Sequence, residues 1–206
     1  MGEHLFKDIV RQIINQEVNL KTDSPIEKVF IDRIAPKMHP EVLAASQYEI
    51  KDVAGMNFRL DFYFEFEGEK IGVECDGKEF HNPARDLWRD ALILGYDKVD
   101  AIYRFNGTDI YPRMNEIIYL IYYLNRKLFP PHAHYELIHT VTEIFYRQQA
   151  EFSKEDMRIY TGNGIMLCSR RTKYTRKSAE IFRHCKGFTA KSIEEMTQKV
   201  KNKFSL

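Results

Sequence analysis

Three carboxylates lie in two short segments that the sequence predicts to be neighbouring β-strands. In residues 58–66 every even position is apolar, whereas Asp61 falls on the opposite face. In residues 71–76 the parity is reversed, and Glu74 and Asp76 form the polar face. Alternation with a period of two is typical of a half-buried strand. Each segment is therefore expected to present acids on one face and an apolar surface on the other.

The four residues 67–70 separate these strands and predict a hairpin. The two apolar faces coincide only if paired residue numbers add to an odd number, and the tightest such register adds to 137. It places Asp61 directly across from Asp76, with Glu74 on the diagonal. Like charges at such positions repel, and Mg²⁺ accepts carboxylate and phosphate oxygens. The alternative is a wet acidic face that Arg59 or nearby lysines screen.

Further residues follow these acids in a characteristic order. The segment Glu74-x-Asp76-Gly77 is followed by His81 and then by a helix, a glycine and another strand, with the pairs Arg85-Asp86, Arg89-Asp90, Leu94-Gly95 and Arg104-Phe105. This order resembles the PD-(D/E)xK nuclease superfamily, in particular the branch that contains the very-short-patch repair endonucleases. The resemblance covers residues 24–128 and does not extend to the C-terminal third.

The resemblance implies a restriction-endonuclease-like α/β core with a central mixed sheet flanked by helices. It also implies an Mg²⁺- or Mn²⁺-dependent endonuclease that hydrolyses phosphodiester bonds in DNA. Asp61, Glu74 and the main-chain carbonyl of Cys75 are then the expected metal ligands. The metal would polarise the phosphate and lower the pKa of an attacking water.

The group that handles protons is left open. Asp76 stands where the superfamily usually has a lysine, so Asp76 itself, Lys78 or His81 is a candidate, and histidine titrates near neutrality. Glu27 is a further candidate, because an early-helix acid lies beside the metal in related nucleases. Ser24-x-x-Glu27 is equally a capping box, which by itself explains a glutamate at this position.

Charge is divided unevenly along the chain. Residues 1–150 carry 18 Lys+Arg against 24 Asp+Glu, whereas residues 151–206 carry 13 against 6. A basic end of this kind could bind phosphates, or could simply be a solvated surface. The cations predicted to contact nucleic acid are Arg89, Arg170, Arg171, Lys173, Arg176 and Lys177. For Arg89 the alternative is an ion pair with Asp90.

Two consecutive prolines in residues 129–134 predict a boundary between a nuclease core with N-terminal helices, 1–128, and a basic C-terminal extension, 135–206. The expected strands are 58–66, 70–76 and 99–105, with a hairpin around 161–164. The expected helices are 5–18, one that starts at Ser24, 82–95, 112–128, 135–152 and 189–204.

Composition narrows the functional classes further. Three cysteines without C-x-x-C spacing disfavour a disulfide framework or a zinc knuckle, and the sequence has neither a secretory signal nor an apolar run that could span a membrane. We therefore expect a cytoplasmic protein whose partner is DNA, with a homodimer or a partner protein left open. Two other functions remain: a catalytically inactive nucleic-acid-binding or assembly protein, and a glycosidase, which the lack of flanking tryptophans disfavours.

Overall fold

A computed structural model of the chain describes residues 20–77, 83–151, 157–160, 166–171 and 195. Its helices are α1 (Pro25–Ile34), α2 (Pro83–Gly95), α3 (Gly107–Leu124), α4 (Ala133–Leu137) and α5 (Glu143–Arg147). Its strands are β1 (Leu43–Val53), β2 (Met56–Phe66), β3 (Glu69–Asp76), β4 (Ala101–Asn106), β5 (Met157–Tyr160) and β6 (Met166–Arg171). Within the described part of the chain no helix is long and apolar enough to cross a membrane.

The described strands form one sheet of six, in the order β1-β2-β3-β4-β6-β5. The pair β3 and β4 is parallel, and α2 connects these two strands; the other neighbouring strands of the six are antiparallel. The predicted α/β class with a mixed sheet and flanking helices is confirmed. Because β6 pairs with β4, strands from beyond the two prolines continue the sheet of the predicted core.

Both faces of the sheet are covered. The side chains on one face pack against α1 and α3, and include Phe62, Phe64, Ile71, Val73, Tyr103 and Phe105. The side chains on the other face include Ile50, Leu60, Tyr63 and Ile102, and they pack against α2, which contributes Trp88 and Leu92. Each large apolar side chain removed from water in this way contributes roughly 1.5–3 kcal/mol to folding. These two apolar cores hold the sheet between the helices.

Local signals set the helix starts near the acids. The Ser24 hydroxyl accepts a hydrogen bond from the Glu27 amide, and Pro25 occupies the first helical position of α1, as predicted. Helix α3 begins at Gly107 rather than at Pro112, and a kink at Arg113 (φ −129°) follows the proline. Proline lacks an amide hydrogen, so the helix can continue past it only with such an irregularity.

Other expectations need correction. Strand β1 was not predicted, because polar residues occur on both of its faces and no clear alternation marks it. The single helix expected over 135–152 is two short helices, and Thr142 caps the second by accepting a hydrogen bond from the Phe145 amide. Antiparallel β5 and β6 flank the expected 161–164 hairpin. The helix predicted over 5–18 lies outside the described residues, as does that over 189–204 apart from helical Glu195.

The predicted pairing of β2 with β3 is wrong by two residues. Phe62 pairs with Val73 and Phe64 with Ile71, so paired numbers add to 135 rather than 137. The connection is a two-residue turn, Glu67-Gly68, with φ of +47° and +79°, the backbone that two-residue hairpins favour. A slip of two residues preserves which face each side chain occupies. The assignment of faces in β3 therefore survives, whereas the predicted Asp61–Asp76 facing pair does not.

Candidate functional site

The apolar side chains of β2 change from one face of the sheet to the other at Asp61. Leu60 packs in the core under α2, but Phe62, two residues later, packs in the core under α1 and α3. Residues two apart in a regular strand share a face, so the alternation reverses at Asp61. The ladder to β3 also stops at Phe62–Val73, and the Cys75 amide instead donates a hydrogen bond to Asp61 Oδ2 at 2.8 Å. Asp61 is thereby held beside the last residues of β3.

The neighbouring strand has an irregularity at the same level. The β1–β2 pairs Ser46–Phe62 and Tyr48–Leu60 flank Gln47, which stands opposite Asp61 and has a φ of +50°. The Gln47 Nε2 donates a hydrogen bond to Glu27 Oε2 at 2.8 Å. Sequence reasoning missed Gln47, because a single polar residue in an unrecognised strand carries no signal.

Glu27 has two structural roles. Its Oε1 accepts a hydrogen bond from the Ser24 hydroxyl at 2.9 Å, and its Oε2 accepts one from the Asp23 amide at 2.9 Å. The Ser24 half of the predicted capping box is therefore present, and the glutamate returns to the amide of Asp23 and to the Ser24 hydroxyl. Yet Glu27 is only 5% exposed, and its charge raises the pKa of Asp61, as does that of Asp76, although burial is the largest cause of that rise. Glu27 thus caps α1 and also stands close to the strand acids.

Glu74 is the most deeply buried of the three strand acids, at 6% exposure. Its Oε1 lies 2.8 Å from Arg89 Nη2. Both atoms are buried, so this ion pair is shielded from water. Burial raises the pKa of Glu74 from 4.5 to about 8, against the opposing charges of Arg89 and Arg104. Arg89, predicted to contact nucleic acid, is turned towards Glu74, and its Nε lies 3.6 Å from Asp90 Oδ1.

A second arginine, Arg104, holds the carboxylates of Asp76 and Asp90. Arg104 on β4 is the parallel-strand partner of Glu74, a pairing that the sequence did not predict. Its Nε and Nη2 donate to the two oxygens of Asp90 at 2.7 and 2.9 Å, and its Nη1 donates to Asp76 Oδ1 at 3.0 Å. Burial lowers the pKa of Arg104, but Asp90, Glu74 and Asp76 together more than compensate and the pKa is raised. The carboxylates of Asp76 and Asp90 thus share the single positive charge of a guanidinium held by three hydrogen bonds.

Four carboxylates surround Cys75. Burial is the main cause of the raised pKa of its thiol, and the charges of Asp61, Glu27, Glu74 and Asp76 raise it further. In the described ranges, however, no three His, Cys, Asp or Glu side chains are grouped closely enough to hold a metal ion. The donor types suit Mg²⁺ or Mn²⁺, and the buried Glu74 Oε1 already lies against a positive charge, that of Arg89. Ligation would require Arg89 to move away from Glu74.

Other predicted site residues are less fully described. Lys78 and His81 lie outside the described residues, as do Lys173, Arg176 and Lys177. The backbones of Arg170 and Arg171 belong to β6, where they pair with Ile102 and Ala101 of β4. The predictions for all these side chains therefore remain predictions.

The chain was compared with family models, curated proteins and solved structures. No family model, no curated protein and no solved structure matches it.

Proposed function

We propose that this protein is a metal-dependent endonuclease that hydrolyses phosphodiester bonds in DNA, with Mg²⁺ or Mn²⁺ held by Asp61, Glu74 and the Cys75 carbonyl. The observation that carries the proposal is the state of Glu74. Its carboxylate is buried near Asp61, its Oε1 lies 2.8 Å from the Arg89 guanidinium, and its pKa is raised to about 8. A carboxylate kept this far from its ordinary pKa by burial is a candidate for function.

Asp61 and the peptide of Cys75 contribute to the proposed metal site in different ways. The Cys75 amide donates its hydrogen bond to Asp61 rather than to the backbone of β2, so the Asp61 carboxylate is pre-oriented. The carbonyl of Cys75 is the proposed third ligand. A bound divalent cation supplies Lewis-acid polarisation of the phosphate and a water of lowered pKa. Glu27, held by the Ser24 hydroxyl, the Asp23 amide and Gln47, would add negative charge that favours a cation there.

The two arginines have separate roles in this proposal. Arg104 is clamped by Asp90 and keeps Asp76 in place, so Asp76 serves to orient the end of β3. Arg89 is proposed to exchange its ion pair with Glu74 for a phosphate oxygen. The cations of residues 151–206 are proposed to bind the DNA backbone. Lys78 or His81 is proposed to handle protons, and the cytoplasm is the proposed location.

The test is cleavage of supercoiled plasmid, linear duplex and single strands with EDTA, Mg²⁺ or Mn²⁺. We expect metal-dependent cleavage that Asp61→Asn and Glu74→Gln abolish while both variants stay folded. Exposed Glu41, changed to Gln, is the matched control and should cut normally. Normal cleavage by Asp61→Asn and Glu74→Gln would show that the site lies elsewhere.

A second candidate function is a nucleic-acid-binding or assembly protein without catalytic activity. It is favoured by one observation: arginines already form ion pairs with Glu74 and Asp76, and no three His, Cys, Asp or Glu side chains of the described residues are grouped closely enough to hold a metal. DNA binding that is unaffected by Mg²⁺ or Mn²⁺, together with no cleavage of any substrate, would support this function over the nuclease.

A further inference from the structure

We propose that Gln47 is a positioning residue and neutral oxygen donor of the carboxylate site. In this proposal its amide nitrogen donates a hydrogen bond that fixes Glu27, and its amide oxygen would coordinate the cation or accept a hydrogen bond from a water beside it. The inference rests on the proposed metal site and deepens it. It assigns a role to a residue of strand β1, whereas the proposed metal ligands lie on β2 and β3.

The backbone of Gln47 has an unusual conformation for a residue within a strand. A φ of +50° at Gln47 is disfavoured for a residue with a β-carbon. The conformation occurs in mid-strand, between two regular pairs to β2, rather than at a turn. It also lies opposite Asp61, where β2 reverses its alternation. Strain of this kind persists where the surroundings impose it and is common at functional sites.

The two polar atoms of the Gln47 side chain differ in their contacts. Because a carboxylate can only accept, the atom that contacts Glu27 Oε2 must be the amide nitrogen, and this fixes the orientation of the amide. The other atom, Oε1, is fully buried and has no hydrogen-bond partner among the described residues. Leaving a buried amide oxygen unsatisfied is unfavourable. A hard divalent cation or an ordered water would satisfy it, because both accept amide oxygens as partners.

The position of Gln47 in the sheet places it among the acids. Gln47 stands opposite Asp61 between two β1–β2 pairs, and its Nε2 holds Glu27, so the glutamate, the aspartate and the amide share one region. Amide oxygens add a ligand without adding negative charge. That property matters beside two carboxylates, those of Glu27 and Asp61. Gln47 is therefore suited to complete the oxygen donors at little electrostatic cost.

The test uses two variants and a matched control, with Mn²⁺ binding measured by calorimetry and folding by thermal melting. Gln47→Met keeps the side-chain length and removes the amide, and Gln47→Gly also relieves the positive φ. Ala54→Gly relieves a similar φ of +54° in the turn after β1 and is the control. We expect both Gln47 variants to bind Mn²⁺ about tenfold more weakly, the scale for groups that support a metal site. Ala54→Gly should bind normally.

The outcomes separate this inference from the proposed function. If the wild type binds Mn²⁺, Asp61→Asn does not, and folded Gln47→Met binds normally, the role of Gln47 is refuted while the metal site stands. If the wild type does not bind Mn²⁺, both proposals are overturned. If Mn²⁺ affinity falls in Gln47→Met but the wild type cuts no nucleic acid, the nuclease proposal alone fails. A loss of affinity in Gln47→Gly with an unchanged or higher melting temperature would exclude general unfolding as the cause.

Discussion

Glu74 makes the stability of the metal-free protein depend on pH. In the unfolded chain its carboxyl ionises around pH 4.5, whereas in the folded protein burial holds its pKa at about 8. Between these values the native state binds more protons than the unfolded state, so stability falls as pH rises and levels off above about pH 8. Glu74→Gln mimics the neutral form and should lack this dependence.

The size of the effect follows from the same values. Raising the pKa from 4.5 to about 8 corresponds to about 5 kcal/mol, at 1.36 kcal/mol for each pH unit. This is a ceiling, because water entering beside the ionised carboxylate lowers the cost. The free energy of unfolding of a domain is typically about 5–15 kcal/mol, so even half of this ceiling would be a large fraction of the total stability. With a urea dependence of about 2–3 kcal/mol per molar, the ceiling corresponds to a shift in midpoint of about 2 M.

The assay is urea unfolding with EDTA present, followed by the fluorescence of the single tryptophan, from about pH 5 to about pH 8. Wild type and Glu74→Gln should differ least at the acidic end, and the wild type should fall behind steadily towards pH 8. Exposed Glu41, changed to Gln, corrects for the general loss of one negative charge. A constant difference between wild type and Glu74→Gln across this range would refute the raised pKa and the burial argument behind it.

Three further predictions concern other parts of the molecule. Asn125→Ala should lower the free energy of unfolding by about 2 kcal/mol in urea titrations, because the buried amide donates to a tyrosine hydroxyl and to a helix carbonyl; a change near zero would contradict this. Replacing Lys173 and Arg176 with Gln in an Asp61→Asn background should flatten the salt dependence of DNA binding, by about 0.9 in log–log slope for each lost phosphate contact. His81→Ala should slow single-turnover cleavage about 10²-fold, and more than Lys78→Ala does; the reverse order would make the lysine the proton-handling group.

The sequence by itself determined several local features. The Ser24-Pro25 start of α1 follows from capping and from the fixed φ of proline, both of which act within one turn. The polar face of β3 follows from alternation, which depends only on the strand period. The presence of Asp61 and Glu74 on adjacent strands followed from the hairpin between them. These features needed no knowledge of distant residues.

Only the tertiary structure decided how the acids are held. The register of β2 against β3 depends on a two-residue turn, and odd sums of 135 and 137 satisfy the same alternation. Strand β1 forms because β2 offers it an edge, and it brings Gln47 to Asp61. The contact of Arg89 with Glu74 requires α2 to cover that face of the sheet. Periodicity constrains which side a residue faces, whereas the identity of its partner depends on packing between elements far apart in the chain.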